Sequence, residues 1–225
     1  MVLIFDLDDT LYDEMSFVRS GFTAVSNWGY LQFGKDADES FDFMMEILER
    51  HGRGQVFDIW LDKCLGKKSK SLIDKALSIY RTHKPAIKIS DNTFRLLEGL
   101  AVYSLYIVTD GNKFVQSNKI KELGISKYFK HVYITHRYGV KNAKPSIYCF
   151  EKIMMRENCA WSELVYIGDN SAKDFVNLNV KGANTVRVLT GGHKEAVARD
   201  GYEAKYIIQD LVDFPALVDV LTKNT

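Results

Sequence analysis

The sequence has few cysteines, no marked excess of charge and no long apolar run. Its three cysteines, Cys64, Cys149 and Cys159, are scattered and have no C-x-x-C spacing, which disfavours both a disulfide framework and a zinc knuckle. The formal net charge is only +1, so no general attraction to nucleic acid or to an anionic membrane is expected. No apolar run approaches the length that spans a bilayer.

The start of the chain has no basic region ahead of its apolar residues, and Asp6 interrupts the first apolar run early. We therefore expect no signal peptide and, with the unpaired cysteines, a reduced cytoplasmic protein. The chain has 225 residues, of which 46% are hydrophobic. This length suits one domain with a full core, or a core domain with a small insert. As for assembly, the sequence is compatible with a monomer or a homodimer.

The first ten residues combine a short apolar run with a cluster of carboxylates. Val2-Leu3-Ile4-Phe5 reads as a buried strand of a parallel sheet. Asp6-Leu7-Asp8-Asp9-Thr10 follows at the carboxyl end of that strand, where open α/β sheets bind ligands. Three carboxylates so close together repel one another unless a cation lies among them, and Mg²⁺ is the natural candidate. The alternative for this stretch alone is a turn or a helix cap, which Asp and Thr also favour.

The next stretch, from about residue 15 to residue 88, shows apolar residues at helical spacing and no convincing strand. A crossover between parallel strands needs only about a dozen residues, so this stretch is too long for that role. We interpret residues 15–88 as an inserted all-helical cap, and residues 1–14 with 89–225 as the core domain.

After Lys84-Pro85 the sequence returns to alternating strands and helices. Such alternation predicts an α/β fold with a parallel, doubly wound sheet. The predicted strands are 104–108, 132–134, 164–167, 185–188 and 206–208. The predicted helices are 94–100, 113–123 with Gly124 as its cap, 146–155, 172–178 and 214–221.

Polar residues gather where three of the predicted strands end. They are Asp6-x-Asp8, Thr109-Asp110-Gly111-Asn112 and Gly168-Asp169-x-x-x-x-Asp174. The carboxyl ends of parallel strands share one edge of the sheet, so these residues should meet in one crevice. Taken singly, Thr109 could merely end a strand, Lys144 could be a surface lysine, and Asp174 could match the dipole of a helix.

In order and spacing these stretches resemble the four motifs of the haloacid dehalogenase (HAD) superfamily, mostly phosphohydrolases. The motifs are D-x-D-x-T at 6–10, Thr109 at the end of a strand, Lys144 before Pro145, and G-D-x-x-x-x-D at 168–174. Lys141 is a second candidate for the third motif, but the following proline favours Lys144. The helical block lies between the first two motifs, as in members with a helical cap. T-x-G followed by Q-x-N-K-I-x-x-L-G is similar to sugar-phosphate and nucleotide phosphatases of that branch.

The resemblance implies a role for each carboxylate. Asp6 would attack phosphorus and form an aspartyl-phosphate. Asp8 would protonate the leaving alcohol and then take a proton from the attacking water. Asp6, the backbone carbonyl of Asp8 and Asp169 would hold Mg²⁺, with Asp174 helping directly or through water. The ion would offset the charge of the incoming phosphate dianion.

The same resemblance assigns the phosphate-binding residues. Thr109 and the Gly111 amide would donate hydrogen bonds to phosphoryl oxygens, and Asn112 belongs to the same turn. Lys144 would supply a positive charge to the transferring group and to Asp6.

The expected activity is Mg²⁺-dependent hydrolysis of a phosphate monoester. The presence of Asp8 favours phosphate ester hydrolysis over dehalogenase and phosphonatase chemistry, because the dehalogenase-like and phosphonatase-like members of the superfamily lack this second carboxylate. A phosphomutase acting on a sugar phosphate and a non-catalytic phosphate-binding module remain alternatives. The expected partner is a small phosphorylated metabolite, such as a sugar phosphate or nucleoside monophosphate, since a roofed pocket must exclude water.

Three weaker candidates lie outside these motifs. Arg53 could be an anion contact in a cap loop, although His51-Gly52-Arg53-Gly54 is more typical of a turn between helices. His136 and Arg137 could reach the rim of the crevice. Lys67-Lys68-x-Lys70 is interpreted as a solvated face rather than a nucleic-acid patch.

Overall fold

The computed structural model describes residues 1–66 and 69–223. Lys67 and Lys68, two of the three lysines in the predicted solvated face, lie outside these described residues. The chain divides into two compact units, one formed by Met1–Glu14 with Lys88–Thr225 and the other by Met15–Ile87. We call them the α/β unit and the helical unit.

The α/β unit contains a six-stranded parallel sheet with the order β3-β2-β1-β4-β5-β6. The strands are β1 Val2–Phe5, β2 Ser104–Thr109, β3 His131–Ile134, β4 Leu164–Gly168, β5 Asn184–Val188 and β6 Tyr206–Ile208. β1 lies between β2 and β4, with Phe5 opposite Ile107 on one side and Ile167 on the other. The predicted α/β class with a parallel doubly wound sheet is confirmed.

Helices occupy both units. In chain order they are α1 Glu14–Phe33, α2 Ala37–His51, α3 Val56–Leu65, α4 Lys70–Thr82, α5 Asp91–Gly99, α6 Lys113–Leu123, α7 Tyr148–Glu157, α8 Val176–Lys181 and α9 Phe214–Lys223. α6 begins after Asn112, whose side chain accepts a hydrogen bond from the Phe114 amide at 2.9 Å, and it ends at Gly124. The predicted cap at Gly124 is confirmed. In the part of the chain that the structure describes, no helix combines the length and the apolar character needed to cross a bilayer.

Both faces of the sheet are covered, which explains why β1 is apolar at every position. Ile4 packs in a cluster with Tyr166 of β4 and Phe150 of α7. Phe5 faces the other way and meets the rings of Phe129 and Phe214 at centroid distances of 6.2 and 5.8 Å. A strand covered on both faces has no position for a polar side chain until it ends. The first carboxylate, Asp6, therefore marks the edge of the sheet.

The helical unit has a core of its own, built by α1 to α4. Its centre contains Phe22 of α1, Met44 of α2, Trp60 of α3 and Ala76 of α4, all buried. The Trp28 and Trp60 rings lie 6.2 Å apart, so these two residues pack within the unit.

Two helices begin later than the sequence pattern predicts. The helix predicted at 172–178 is α8, which begins at Val176. The preceding residues form a turn instead, in which the Asn170 amide donates to Asp174 Oδ2 at 3.0 Å and the Ala172 amide donates to Asn170 Oδ1 at 3.0 Å. Such side-chain acceptors compete with helical hydrogen bonds.

The helix predicted at 146–155 is α7, which begins at Tyr148. The Ser146 amide donates to the Ala143 carbonyl at 2.9 Å and closes a turn that contains the cis Lys144-Pro145 peptide. Lys144 is thus presented by a turn ahead of the helix.

Candidate active site

The site is built at the carboxyl edge of β1 and β4. The Asp6 amide donates to the Ile167 carbonyl at 2.8 Å, so the pairing of these strands continues one residue beyond Phe5. Asp169 follows β4 directly, and both carboxylates are buried. The backbone of Asp6 is therefore held by the sheet itself.

Lys144 reaches this edge from the turn before α7. Its Nζ lies 3.0 Å from Asp6 Oδ1 and 2.8 Å from Asp174 Oδ1, and it donates to Tyr166 Oη at 2.9 Å. The Lys144 side chain is only 1% exposed, whereas Lys141 is exposed. A buried ammonium group requires such anionic partners, so of the two lysines proposed for the third motif, Lys144 is the one at the site.

Asp6, Asp169 and Asp174 form what we call the carboxylate cluster. Each offers one oxygen, and the three oxygens all lie within 4.8 Å of one another. Gly168 makes room for Asp174, because a Cβ at position 168 would lie 2.5 Å from Asp174 Oδ2. Close packing against Asp174 therefore requires a glycine at position 168.

The cluster carries more negative charge than Lys144 balances. Burial, opposed by Lys144, raises the pKa of Asp6 to about 6, and burial with the charges of Asp6 and Asp174 raises the pKa of Asp169 to about 8. Burial disfavours the charge of Lys144, but Asp174 and Asp6 outweigh it and keep its pKa well above the ordinary value. Three carboxylates thus face the single ammonium group of Lys144 in this cluster.

The donor set fits an oxygen-seeking divalent ion. Asp6 Oδ1 is buried and accepts no hydrogen bond from any residue in 1–66 or 69–223, although Lys144 Nζ lies at ion-pair distance. Three converging carboxylates with an unsatisfied oxygen are the ligand type that Mg²⁺ prefers. A bound Mg²⁺ would offset both the burial and the mutual repulsion that raise the pKa values of Asp6 and Asp169.

Asp8 lies in a different setting, which we call the Asp8 network. Its Oδ1 accepts from Tyr12 Oη at 2.6 Å and from Lys119 Nζ at 2.7 Å, and its Oδ2 accepts from Gln116 Nε2 at 2.8 Å. Burial, followed by the charge of Asp8, raises the pKa of Tyr12 far above its ordinary value. Tyr12 is therefore a neutral phenol that donates a hydrogen bond to Asp8.

The turn after β2 contains the three predicted phosphate-binding residues Thr109, Gly111 and Asn112. Thr109 Oγ1 is buried and accepts from Gln116 Nε2 at 2.7 Å. Gly111 has a φ of +125°, a conformation that side chains other than glycine rarely adopt. Asn112 Oδ1 caps α6, so the structure gives this oxygen a local role. The described contacts connect Thr109 to the Asp8 network rather than to the carboxylate cluster.

Asp110 is a half-buried acid of the strand-end stretch 109–112, to which the sequence motifs assign no role. Its Oδ1 accepts from Thr135 Oγ1 at 2.7 Å and from the Lys144 amide at 3.1 Å, and its Oδ2 lies 3.2 Å from Lys173 Nζ. Burial alone would raise the pKa of Asp110, but Lys144 and Lys173 lower it. Asp110 thereby anchors the turn that carries Lys144.

Tyr166 is also part of the site, since its hydroxyl lies between Lys144 Nζ and Asp174 Oδ1 at 2.9 and 3.4 Å. In the sequence Tyr166 is one residue of an apolar run, and its hydroxyl group is the only feature that could have indicated a position in the site. Among the weaker candidates, Arg137 Nη2 donates to Ser117 Oγ at 2.7 Å on the surface. Arg53 lines a cavity of about 170 Å³ inside the helical unit.

Comparison with known proteins identifies the family. A family model described as haloacid dehalogenase-like hydrolase matches residues 3–188. A glyceraldehyde 3-phosphate phosphatase from Methanocaldococcus jannaschii is 29% identical over 228 residues, covering 99% of this chain and 98% of the relative. Its coverage shows that the likeness extends over both units.

Solved structures show the same fold. A β-phosphoglucomutase-like protein from Thermotoga maritima aligns with a TM-score of 0.69 at 17% identity, covering 97% of this chain and 98% of its own. A HAD hydrolase from Bacillus subtilis, solved with bound magnesium, aligns with a TM-score of 0.65 at 18% identity, covering 98% and 97%. Because the family model spans most of the chain and all four motifs converge on one edge of the sheet, the protein belongs to the haloacid dehalogenase-like hydrolases.

Proposed function

We propose that the protein is a Mg²⁺-dependent phosphomonoester hydrolase that acts through an aspartyl-phosphate on Asp6. The observation that carries this proposal is the separation of two carboxylates. Asp6 lies beside Lys144 in the carboxylate cluster, while Asp8 lies in a network of donors. A nucleophile and a separate acid/base are what two-step hydrolysis of a phosphate ester requires.

In the first step an oxygen of Asp6 attacks phosphorus, and the bond from phosphorus to the alcohol oxygen breaks. Asp8 gives its proton to the departing alcohol oxygen. In the second step Asp8 takes a proton from water, the water oxygen attacks phosphorus, and the Asp6 carboxylate is released with inorganic phosphate. Each step leaves Asp8 in the protonation state that the next one needs.

Lys144, Thr109 and Gly111 bind the phosphoryl group in this scheme. Lys144 Nζ is already within 3.0 Å of Asp6, so its positive charge lies where the phosphoryl oxygens develop negative charge. The Thr109 hydroxyl and the Gly111 amide would donate hydrogen bonds from the neighbouring strand end, and Asn112 shapes their turn through its cap on α6.

Asp6, Asp169, Asp174 and the backbone carbonyl of Asp8 would hold Mg²⁺. When bound, the ion supplies positive charge that offsets the phosphate dianion and the repulsion within the carboxylate cluster. The orphaned oxygen of Asp6 and the raised pKa values of Asp6 and Asp169 support this assignment.

For the substrate we propose a small phosphorylated sugar or aldehyde, with glyceraldehyde 3-phosphate as the first compound to test. The support is the full-length likeness to phosphatases named for that substrate. A phosphomutase would use the same carboxylates but return the phosphoryl group to a second hydroxyl of the sugar.

The helical unit, Met15–Ile87, is proposed to be the cap that reads the substrate. It has its own apolar core, so it can be exchanged as a block. Replacing residues 15–88 with the cap of a related phosphatase should change the ranking of phosphate esters and keep the need for Asp6, Asp8 and Mg²⁺. An unchanged ranking in a folded chimera would assign specificity to loops of the α/β unit, such as His136-Arg137.

The decisive experiment measures phosphate release from a panel of phosphorylated metabolites and p-nitrophenyl phosphate. We expect turnover with Mg²⁺, none with EDTA, and none in Asp6→Asn. Isomerised sugar phosphate without free phosphate would instead identify a mutase. Phosphate binding without turnover of any ester would indicate a binding module.

A further inference from the structure

Two polar residues of α6, Gln116 and Lys119, are buried beside Asp8. They are 2% and 3% exposed, although lysine and glutamine are among the residues least often buried. Burial of such groups costs free energy unless every hydrogen bond is satisfied. They belong to the Q-x-N-K stretch, for which the proposed mechanism gives no role.

Gln116 connects the acid/base to the phosphate-binding threonine. Its Nε2 donates to Asp8 Oδ2 at 2.8 Å and to Thr109 Oγ1 at 2.7 Å. A side-chain amide has two N–H groups, so these two bonds use both. Because Thr109 Oγ1 accepts from Gln116, its own proton is free to point at a phosphoryl oxygen. The orientation of Gln116 thus sets the direction in which Thr109 donates.

Lys119 and Tyr12 hold the other oxygen of Asp8. Lys119 Nζ and Tyr12 Oη lie 2.7 and 2.6 Å from Asp8 Oδ1, and Lys119 Nζ also lies 3.3 Å from Glu14 Oε1. A carboxylate has about four lone-pair positions, two on each oxygen. Hydrogen bonds from the described residues therefore use both positions of Oδ1 and one of Oδ2, which leaves one acceptor position on Oδ2 within 1–66 and 69–223.

We propose that Gln116 and Lys119 are positioning residues of the reaction, which orient Asp8 so that it exchanges its proton through the remaining lone pair of Oδ2. The proposal rests on the proposed function, because it needs Asp8 as the acid/base. The proton leaves Asp8 Oδ2 for the alcohol oxygen and later returns to Oδ2 from water. Gln116 couples this geometry to Thr109, so one side chain aligns proton transfer with phosphate binding. Misplacing a catalytic group by about 1 Å can cost on the order of 100-fold in rate.

The leaving group distinguishes positioning from a merely structural role. An alkyl alkoxide needs the proton from Asp8 as it departs, whereas p-nitrophenolate is stable without it. The value of kcat/KM reports the steps up to departure of the leaving group. A misdirected Asp8 should therefore lower kcat/KM strongly for glyceraldehyde 3-phosphate and weakly for p-nitrophenyl phosphate.

The test compares Lys119→Met with Lys121→Met, a control on the same helix whose side chain is exposed. For Lys119→Met we expect a loss in kcat/KM of about 30-fold on the alkyl ester and about 3-fold on p-nitrophenyl phosphate, since general acid catalysis contributes roughly 10²–10⁴-fold. Lys121→Met should match the wild type on both esters. Tyr12→Phe removes a single oxygen and should show the same pattern more weakly.

Gln116 allows a sharper test because it can be replaced by two side chains of similar size, one neutral and one negatively charged. Gln116→Met removes both donors, whereas Gln116→Glu also places a negative charge next to Asp8 and an acceptor next to Thr109. The Thr109 proton would then point at residue 116 instead of phosphate. We expect Gln116→Glu to have the lower kcat/KM by on the order of 10-fold and to raise KM for phosphate esters as well.

Several results would overturn the positioning roles. One is an equal loss on all esters in both Lys119→Met and Tyr12→Phe, with melting temperatures near that of the wild type. Another is Gln116→Glu activity no lower than that of Gln116→Met. If Lys119→Met does not fold, Tyr12→Phe alone decides, and a loss independent of the leaving group counts against the proposal. Wild-type protein that hydrolyses no ester would instead refute the proposed function.

Discussion

Asp6 and Asp8 follow the same strand and are two residues apart, yet their surroundings are opposite. Asp6 shares a buried space with Asp169 and Asp174, and its Oδ1 accepts no hydrogen bond from the described chain. Asp8 accepts three hydrogen bonds of 2.6 to 2.8 Å. One carboxylate lies in an excess of negative charge, and the other lies among donors.

The difference agrees with the two roles proposed for these carboxylates. A nucleophile must keep a lone pair available, and hydrogen bonds to it would make it less reactive. An acid/base must hold its proton in one direction while the substrate changes around it. Four substitutions test whether the two settings really divide the work in this way, and they follow in order of expected effect.

Asp6→Asn should have the largest effect. It keeps the shape of the side chain but removes the attacking charge, so we expect turnover to fall by at least about 10⁴-fold on every ester. Phosphate release measures this loss, and circular dichroism checks that the fold is retained. Activity near that of the wild type would remove Asp6 from the role of nucleophile.

Asp8→Asn should cost about 10²–10⁴-fold in kcat/KM on alkyl phosphates and much less on p-nitrophenyl phosphate. Its Mg²⁺ requirement should not change, because only the backbone carbonyl of Asp8 is proposed as a ligand. Titration of activity with Mg²⁺ measures this. A large shift in the Mg²⁺ requirement would show that the Asp8 side chain takes part in metal binding, and would contradict the separate roles of Asp6 and Asp8.

Asp169→Asn should weaken Mg²⁺ binding by at least about 10-fold, since changes even next to metal ligands cost 10- to 100-fold. The same substitution should stabilise the metal-free protein, on the order of 1 kcal/mol, because it removes a carboxylate whose burial and repulsion by Asp6 and Asp174 raise its pKa to about 8. Calorimetric Mg²⁺ titration and thermal unfolding in EDTA measure the two effects. A variant that binds Mg²⁺ like the wild type and melts no higher would contradict the metal site.

Tyr166→Phe should have the smallest effect. It removes the hydroxyl that accepts from Lys144 at 2.9 Å, which is worth about 1 kcal/mol or roughly 5-fold in rate. The loss should be the same for alkyl and aryl esters, because the role proposed for Lys144 is to bind the phosphoryl group and not the leaving group. A loss that depends on the leaving group would show that the two settings are coupled.

The sequence alone was enough to predict the sheet and the edge of the sheet at which the candidate site lies. Continuous apolar runs ending at Asp6, Thr109 and Asp169 predict strands buried on both faces, and parallel strands bring such ends together. Such features can be predicted because they depend on residues that are close together in the sequence. The same holds for the span and the glycine cap of α6.

Only the tertiary structure decided which side chains meet at that edge. Gln116 and Lys119 lie 108 and 111 residues from Asp8 in the chain, and Tyr166 is hidden in an apolar strand. Lys144 and Lys141 differ in burial, which periodicity does not reveal. The physical reason is that strand and helix patterns record which face of an element is buried. The hydrogen-bond partners of a buried polar group are chosen by packing between elements that are distant in sequence.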